Sequence, residues 1–236
     1  MRLQDYEDLR ASQDTETLER RMIRVAHHMN FEIITAAVAV ERPNAAALFR
    51  AIGNVPRGFH EASNAADRTK RDPVHQTLKS SNLPFSYSQA TYVTAGAGDL
   101  YEEQAPYGFR TGVAIAQHLP NGRHFLLGVD RSDPLPDDDM QLIRIYADLQ
   151  LLVAYAQEAS YRLLIGPETN LPKENLTARE KEVLRWTREG KCAWAVGQIL
   201  SISENSVNNH LRNACRKLDV SGKNRAVVKA IALGLI

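Results

Sequence analysis

Residues 176–236 read LTAREKEVLRWTREGKCAWAVGQILSISENSVNNHLRNACRKLDVSGKNRAVVKAIALGLI, and the punctuation of this stretch decides the architecture. Thr177-Ala-Arg-Glu180 is a capping box, in which a hydroxyl and a carboxylate satisfy backbone donors at a helix start. That helix turns Val183, Leu184 and Thr187 inward and stops at Gly190. A short second helix spans about Ala193–Leu200, the tight turn Ser201-Ile202 follows, and Ser203 caps a third helix running to about Leu218. Two helices joined by so short a turn must cross steeply, which is the helix-turn-helix geometry. On the third helix, Val207, Leu211, Ala214, Cys215 and Leu218 recur at the spacing of one apolar stripe. The opposite side shows Asn208, Asn209, Arg212, Asn213 and Arg216. Asn and Arg are the side chains that pair bidentately with adenine and guanine edges in the major groove. No Asp or Glu interrupts this face between Asn205 and Lys217, whereas a merely solvated helix usually mixes signs.

The whole stretch resembles the LuxR-type helix-turn-helix. The matching marks are Leu176-Thr177, Glu180, Leu184, Gly190-Lys191, Ile202-Ser203, Ser206-Val207, His210, Lys217-Leu218, Asn224-Arg225 and Gly234-Leu235-Ile236. The resemblance implies an all-α four-helix module that reads double-stranded DNA with its third helix and dimerises partly through its last. One departure is Val196-Gly197, where Ile-Ala is usual; glycine lowers helix propensity by about 1 kcal/mol, and no change of function is expected. The DNA-binding candidates are therefore Lys191, Ser206, Asn208, Asn209, Arg212, Asn213 and Arg216, with Lys217 and Lys223 adding charge toward phosphates.

Charge supports the division. Residues 172–236 hold 12 Lys/Arg against 6 Asp/Glu, a net of +6, whereas residues 1–171 hold 17 against 22, a net of −5. A small basic module joined to a larger acidic one expects a polyanion to meet the tail alone. Between them, Gly166-Pro-Glu-Thr-Asn-Leu-Pro-Lys-Glu-Asn175 has two prolines and no periodicity, so residues 166–175 read as a linker. Residues 1–165 and 176–236 are the two domains it separates.

Upstream, Asp14 can cap a helix carrying Leu18, Met22, Val25, Ala26 and Met29 at helical spacing. Phe31–Val40 is a β-branched apolar run that reads as a buried strand, with another around Leu48–Val55. Asp72-Pro73 starts a helix, Asp as cap and Pro at the first turn. Strands Gly112–Leu119 and His124–Asp130 flank Pro120-Asn121-Gly122, a hairpin signal. Met140–Leu164 is a long apolar-rich helix ended by Gly166-Pro167, with Asp137-Asp138-Asp139 favouring its N-terminus. The expected fold class is α+β, an α-β-α sandwich around an antiparallel sheet, followed by the four-helix module.

Other classes are excluded on the same evidence. Hydrophobic residues at 44% and charged residues at 24% suit globular cores, and the longest apolar stretch, Leu149–Ala156, is too short to span a bilayer. The N-terminal MRLQDYEDLR lacks a secretory apolar core, so a cytoplasmic location is expected. Cys192 and Cys215 form no disulfide framework or four-ligand zinc site, and His27, His28, His60, His75, His118 and His124 lack ligand spacing. No nucleophile elbow or phosphate loop is present, so neither an enzyme nor a cofactor is expected.

Residues 1–168 resemble, in length and element order, the autoinducer-binding domain of quorum-sensing LuxR regulators. The residues that carry this are Pro56, Asp72-Pro73-Val74, Pro84, Gly108-Phe-Arg-Thr-Gly112-Val and the Asn121-Gly122 hairpin. In that family the aspartate accepts the amide hydrogen of an acyl-homoserine lactone, and Asp72 sits at the matching position. Counting back thirteen residues places Phe59 where the family has the Trp that donates to the lactone carbonyl. Val55 and Ser63 then fall at two Tyr positions, and fifteen residues forward Tyr87 stands where a second Trp packs on the ring. Gly112 and Gly128 complete the ligand-side candidates. Two family hydrogen bonds are thus missing, each worth about 0.5–1.5 kcal/mol, so weak responses to common lactones are expected. Phe59, Phe85, Tyr87, Tyr92 and Tyr107 either line a cavity or form ordinary core. The implied partners are DNA, a second copy of the chain, RNA polymerase and an acyl-homoserine lactone or an unusual signal. The alternative is a ligand-independent regulator whose pocket is filled by its own side chains.

Overall fold

A computed structural model describes residues 2–42, 45–56, 59, 66–166 and 176–236, which fall into two compact units. The first unit begins with α1 (Leu3–Arg10) and α2 (Thr15–His28) and forms β1 (Ile33–Arg42) and β2 (Ala45–Gly53). Then come α3 (Ala66–Arg71), α4 (Pro73–Ser80), β3 (Phe85–Tyr87), α5 (Gln89–Thr94), α6 (Gly98–Gln104), β4 (Thr111–Leu119), β5 (Arg123–Arg131) and α7 (Asp139–Ser160). The sheet runs β2-β1-β5-β4-β3, antiparallel throughout. Asn121 and Gly122, at φ 68° and 63°, join β4 to β5 in the two positive-φ positions that the hairpin signal requires.

The two faces of this sheet differ in side-chain volume, and the difference makes the cavity. Because strand residues alternate, Ile34, Val38, Val40, Val113, Ile115, Phe125, Leu127 and Val129 all enter one core with Leu9, Leu18, Met22, Leu149, Leu152 and Val153 of α1, α2 and α7. The other face carries Thr35, Ala37, Ala114, Ala116, Leu126 and Gly128, mostly small. Over it lie Val74, Leu78, Tyr92 and Leu100 from α4, α5 and α6, with Tyr87 from β3. The sheet is therefore covered on both faces, as the sequence implies. Several short elements escape the sequence reading, α1, α3, β3 and α5 among them. In α1, Tyr6 and Leu9 are fully buried although the surrounding sequence is polar, and β3 is three residues long, too short to show a period. The helix expected over Met140–Leu164 is α-helical to Ser160 and closes in a π-turn, Tyr161–Ile165, before Gly166 at φ 65°.

The second unit is four helices: α8 (Ala178–Arg188), α9 (Ala193–Leu200), α10 (Glu204–Lys217) and α11 (Lys223–Ala232). Leu176, Val183, Leu184, Val196, Val207, Leu211, Ala214, Leu218, Ala226 and Ala230 make its core. The capping box is present: Thr177 N donates to Glu180 Oε2 at 2.7 Å, and Glu180 N donates to the Thr177 hydroxyl at 3.2 Å. Glu180 also accepts from Lys217 Nζ at 2.8 Å, which pins α8 to the end of α10. The charge of Lys217, expected to face phosphate, is thus engaged inside the domain.

Burial works against the Glu180 charge, but Lys217 and the Thr177 amide outweigh it and hold the carboxyl below the ordinary glutamate range. A carboxyl so lowered contributes stability above its unfolded-state value and loses it as pH falls through the lower folded value. Glu180→Ala is expected to cost about 1–3 kcal/mol near neutral pH, through the lost cap and hydrogen bonds. The deficit relative to wild type should shrink below pH 4, as followed by thermal melts of both proteins.

Candidate functional sites: a ligand cavity and a nucleic-acid face

Over the small-residue face lies a cavity of about 160 Å³, lined by apolar Ala37, Phe49, Phe59, Val74, Leu78, Phe109, Ala114 and Leu126, with Gly128 at its floor. Its polar groups are Thr35, Asp72, His75, Tyr87, Tyr92, Gln104 and Asp130. A Cβ on Gly128 would meet nothing within 4 Å, so the absent side chain is space left open.

Asp72 is both a helix cap and a wall residue. It caps α4 through Oδ1, which accepts from Val74 N at 2.8 Å and His75 N at 3.2 Å, and it lines the cavity. Tyr92 also donates to Oδ1 at 3.4 Å, and His75 Nδ1 lies 3.2 Å from Oδ2. Burial disfavours the Asp72 charge, yet His75 and the two capping amides hold its carboxyl below the usual range.

Tyr87 is buried, and its hydroxyl donates to Asp130 Oδ1 at 2.6 Å. Its ring lies over Gly112, where a Cβ would stand 2.5 Å from the Tyr87 Cζ and hydroxyl oxygen and 2.6 Å from the Val129 carbonyl oxygen. Gly112 is thus the bed on which Tyr87 rests. Asp130 is 2% exposed. Burial pushes its carboxyl up to about 7; the Tyr87 hydrogen bond opposes this and the Asp72 charge adds to it.

Of the sequence-named ligand candidates, the structure brings Phe59, Asp72, Tyr87 and Gly128 together on the cavity, with Gly112 beneath Tyr87. Phe59 stacks on Phe109, ring centroids 4.3 Å apart, and meets Tyr107 at 5.7 Å. Val55 lies half-buried in the segment after β2 and is not among the described lining residues. Ser63 lies outside the described residues. Asp130, Gln104 and Phe109 were not singled out. A signal for Asp130 existed: Leu126, Gly128 and Asp130 alternate on one face of a strand whose other face is Phe125, Leu127 and Val129.

In the second unit, Ser201 at φ 54° makes the turn between α9 and α10, and Ser203 caps α10 by accepting from Ser206 N at 3.1 Å. A Cβ at Gly197 would come within 2.7 Å of the Ile202 carbonyl oxygen. The glycine that departs from the usual Ile-Ala therefore lets the turn close directly against α9. Asn208, Asn209, Arg212, Asn213 and Arg216 are all exposed on one side of α10, and Lys191 is exposed ahead of α9. Arg212 donates to Asn209 Oδ1 at 2.5 Å and Arg216 to Asn213 Oδ1 at 3.5 Å. Ser206 is half-buried, its hydroxyl 2.8 Å from that of Ser203. A row of amides and guanidiniums at one-turn spacing can address base edges, while Lys191 at the flank can address phosphate.

Comparison with known proteins settles the family. Residues 14–160 match the family described as autoinducer binding domain, and residues 174–230 match bacterial regulatory proteins, luxR family. The chain belongs to the LuxR family of autoinducer-binding regulatory proteins. The transcriptional activator protein SolR of Ralstonia nicotianae is 31% identical over 98% of this chain and 97% of its own. LuxR of Aliivibrio fischeri is 28% identical over 78% of this chain and 74% of its own. A crystal structure of Escherichia coli SdiA superposes with a TM-score of 0.74 at 28% identity, covering 97% of this chain and 94% of that one. SdiA in complex with octanoyl-rac-glycerol gives 0.76 at 27%, covering 98% and 93%. As a LuxR-family protein, the chain joins an autoinducer-binding domain to a DNA-binding helix-turn-helix, in a family of transcriptional regulators of quorum sensing. Among the described residues no helix is long and apolar enough to cross a membrane.

Proposed function

We propose that this LuxR-family chain is a cytoplasmic, dimeric transcription regulator that binds an inverted-repeat promoter site and responds to a small molecule held over the sheet. The observation that carries the reading is the outer face of α10, where five Asn and Arg side chains stand exposed with no acid among them. Asn208, Asn209, Arg212, Asn213 and Arg216 are assigned to base edges and neighbouring phosphates, and Lys191 and Ser206 to the flanks. The test is selection of a DNA site from random duplexes by the purified protein; an inverted repeat with half-sites one helical turn apart is expected. RNA polymerase is the further partner a promoter-bound regulator would meet.

Two apolar stripes support the dimer. On α7, Met140, Ile143, Ala147, Leu151 and Ala154 are exposed at helical spacing, and on α11 Val228 and Ile231 are 66% and 46% exposed. Large apolar side chains left outside a core at regular spacing mark an association surface. Ile143→Glu with Leu151→Glu is expected to leave the monomer fold within about 0.5 kcal/mol per site, since neither side chain is core. Sedimentation should show a dimer becoming a monomer at micromolar concentration. An unchanged dimer would remove α7 from the interface.

A second reading is favoured by the cavity's size. At about 160 Å³ it is below the usual range for ligand pockets, roughly 300–1,000 Å³. Phe59 stacked on Phe109 and Tyr87 bound to Asp130 occupy space a larger signal would need. A regulator with a self-filled pocket would carry no copurifying small molecule by mass spectrometry and would bind its operator without addition.

A further inference from the structure

We propose that Asp130 is a second ligand-binding acid of this cavity beside Asp72, and that the ligand it takes is a small, mostly apolar molecule carrying a protonated amine. The inference rests on the small-molecule reading above and names the ligand's chemistry. Asp72 is already held on both oxygens: Oδ1 accepts from Val74 N, His75 N and the Tyr92 hydroxyl, and Oδ2 faces His75 Nδ1. Asp130 differs. It is almost wholly buried, it lines the cavity, and among the described residues its carboxylate has one side-chain partner, Tyr87 on Oδ1. Oδ2 is left for whatever enters.

A buried carboxylate is stable when paired with a cation and otherwise takes up a proton. The polar groups that share the described cavity wall with Asp130 are Asp72 and His75 from α4, Tyr87 from β3, Tyr92 from α5, Gln104 from α6 and Thr35 from β1. No Lys or Arg is among the described lining residues, and the His75 ring is directed at Asp72. A cation that pairs with Asp130 would therefore come with the ligand. The remaining wall suits an amine with an apolar tail, with Val74, Leu78, Ala114 and Leu126 for the tail and the rings of Phe59, Tyr92 and Phe109 also on the wall. Burial pushes the Asp130 carboxyl up to about 7, so below that pH an entering ammonium displaces its proton.

The test uses the full-length protein and three probes, hexylamine, hexan-1-ol and N-hexanoyl-homoserine lactone, with binding read by calorimetry and thermal shift from pH 5.5 to 8.5. Hexylamine is expected to bind at least tenfold more tightly than hexan-1-ol at pH 8. Its affinity should fall up to about tenfold per pH unit below 7, because each binding event then displaces a proton. Asp130→Asn should remove the preference for the amine while melting cooperatively. Tyr87→Phe, which deletes the hydrogen bond favouring the charged carboxylate, should move the pH profile upward; this variant tests the idea even if Asp130→Asn fails to fold. Equal binding of amine and alcohol, no binding of the amine at pH 8, or an amine affinity indifferent to pH overturns the proposal. If the lactone alone binds and alters DNA affinity, Asp130 is not an amine site but small-molecule control stands. If no probe and no copurified molecule alters DNA affinity, it is the proposed function that fails.

Discussion

Arg212→Ala is expected to lower operator affinity by about 1–3 kcal/mol at each half-site, and by about 2–6 kcal/mol when both copies in a dimer carry it. That is a factor of roughly 30 to 10⁴. The size of the effect follows from geometry. Arg212 stands on the outer face of α10, one turn beyond Asn208, and its guanidinium is held by Asn209 Oδ1 at 2.5 Å. A guanidinium fixed by its own helix has lost part of its rotamer freedom before DNA arrives, so less ordering opposes the contact. Replacement by alanine removes nothing from the core, where Val207, Leu211 and Ala214 do the packing, so helical content should not change. Fluorescence anisotropy with the selected operator, repeated over a range of salt, separates the roles. Arg212→Ala should flatten discrimination between operator and scrambled DNA, whereas Lys191→Ala should weaken both alike and reduce the salt slope by about one. Operator affinity equal to wild type in the Arg212 variant would remove α10 from the major groove.

The helical module was legible because each of its decisions is local. Thr177 and Glu180 cap within one turn, Ser203 caps three residues from its donor, and the apolar stripe of α10 lies on a single helix. The sheet was legible in its strands and its hairpin for the same reason, but the cavity was not. Whether Phe59 is core or lining depends on Phe109, fifty residues away, and no count along the chain sees that stacking. The family register counted from Asp72 reaches Phe59 and Tyr87, yet it also names Val55, which is not among the described lining residues. Asp130 was passed over for a physical reason. An acid at a strand end reads as a solvated terminus, and only the register Gly112↔Asp130, with Tyr87 paired to Gly112, brings it beneath the β3 side chain that binds it.

The same register makes Gly112 the position where one methyl group should do the most damage to the first unit. A Cβ there would lie 2.5 Å from the Tyr87 Cζ and hydroxyl oxygen and 2.6 Å from the Val129 carbonyl oxygen. Neither obstacle can yield easily. The Val129 carbonyl belongs to β5, which is paired on both sides by β1 and β4, and the Tyr87 ring is buried with its hydroxyl on Asp130. Gly112→Ala must therefore push Tyr87 off the sheet, adding overpacking of about 1–3 kcal/mol to the loss of a hydrogen bond to a carboxyl group, about 1.5–3 kcal/mol. A destabilisation of about 2.5–6 kcal/mol is expected in denaturant unfolding of the first unit. Gly128→Ala is the control on the same face, since its Cβ would meet nothing within 4 Å; it should fold at least as well as wild type and simply narrow the cavity. The cause can be isolated by a double-mutant cycle. Gly112→Ala combined with Tyr87→Ala should cost less than the two changes separately, because the ring that the methyl strikes is already gone. Strict additivity, or a Gly112→Ala protein as stable as wild type, would mean that Tyr87 does not lie over β4 and that Asp130 has lost its one described partner.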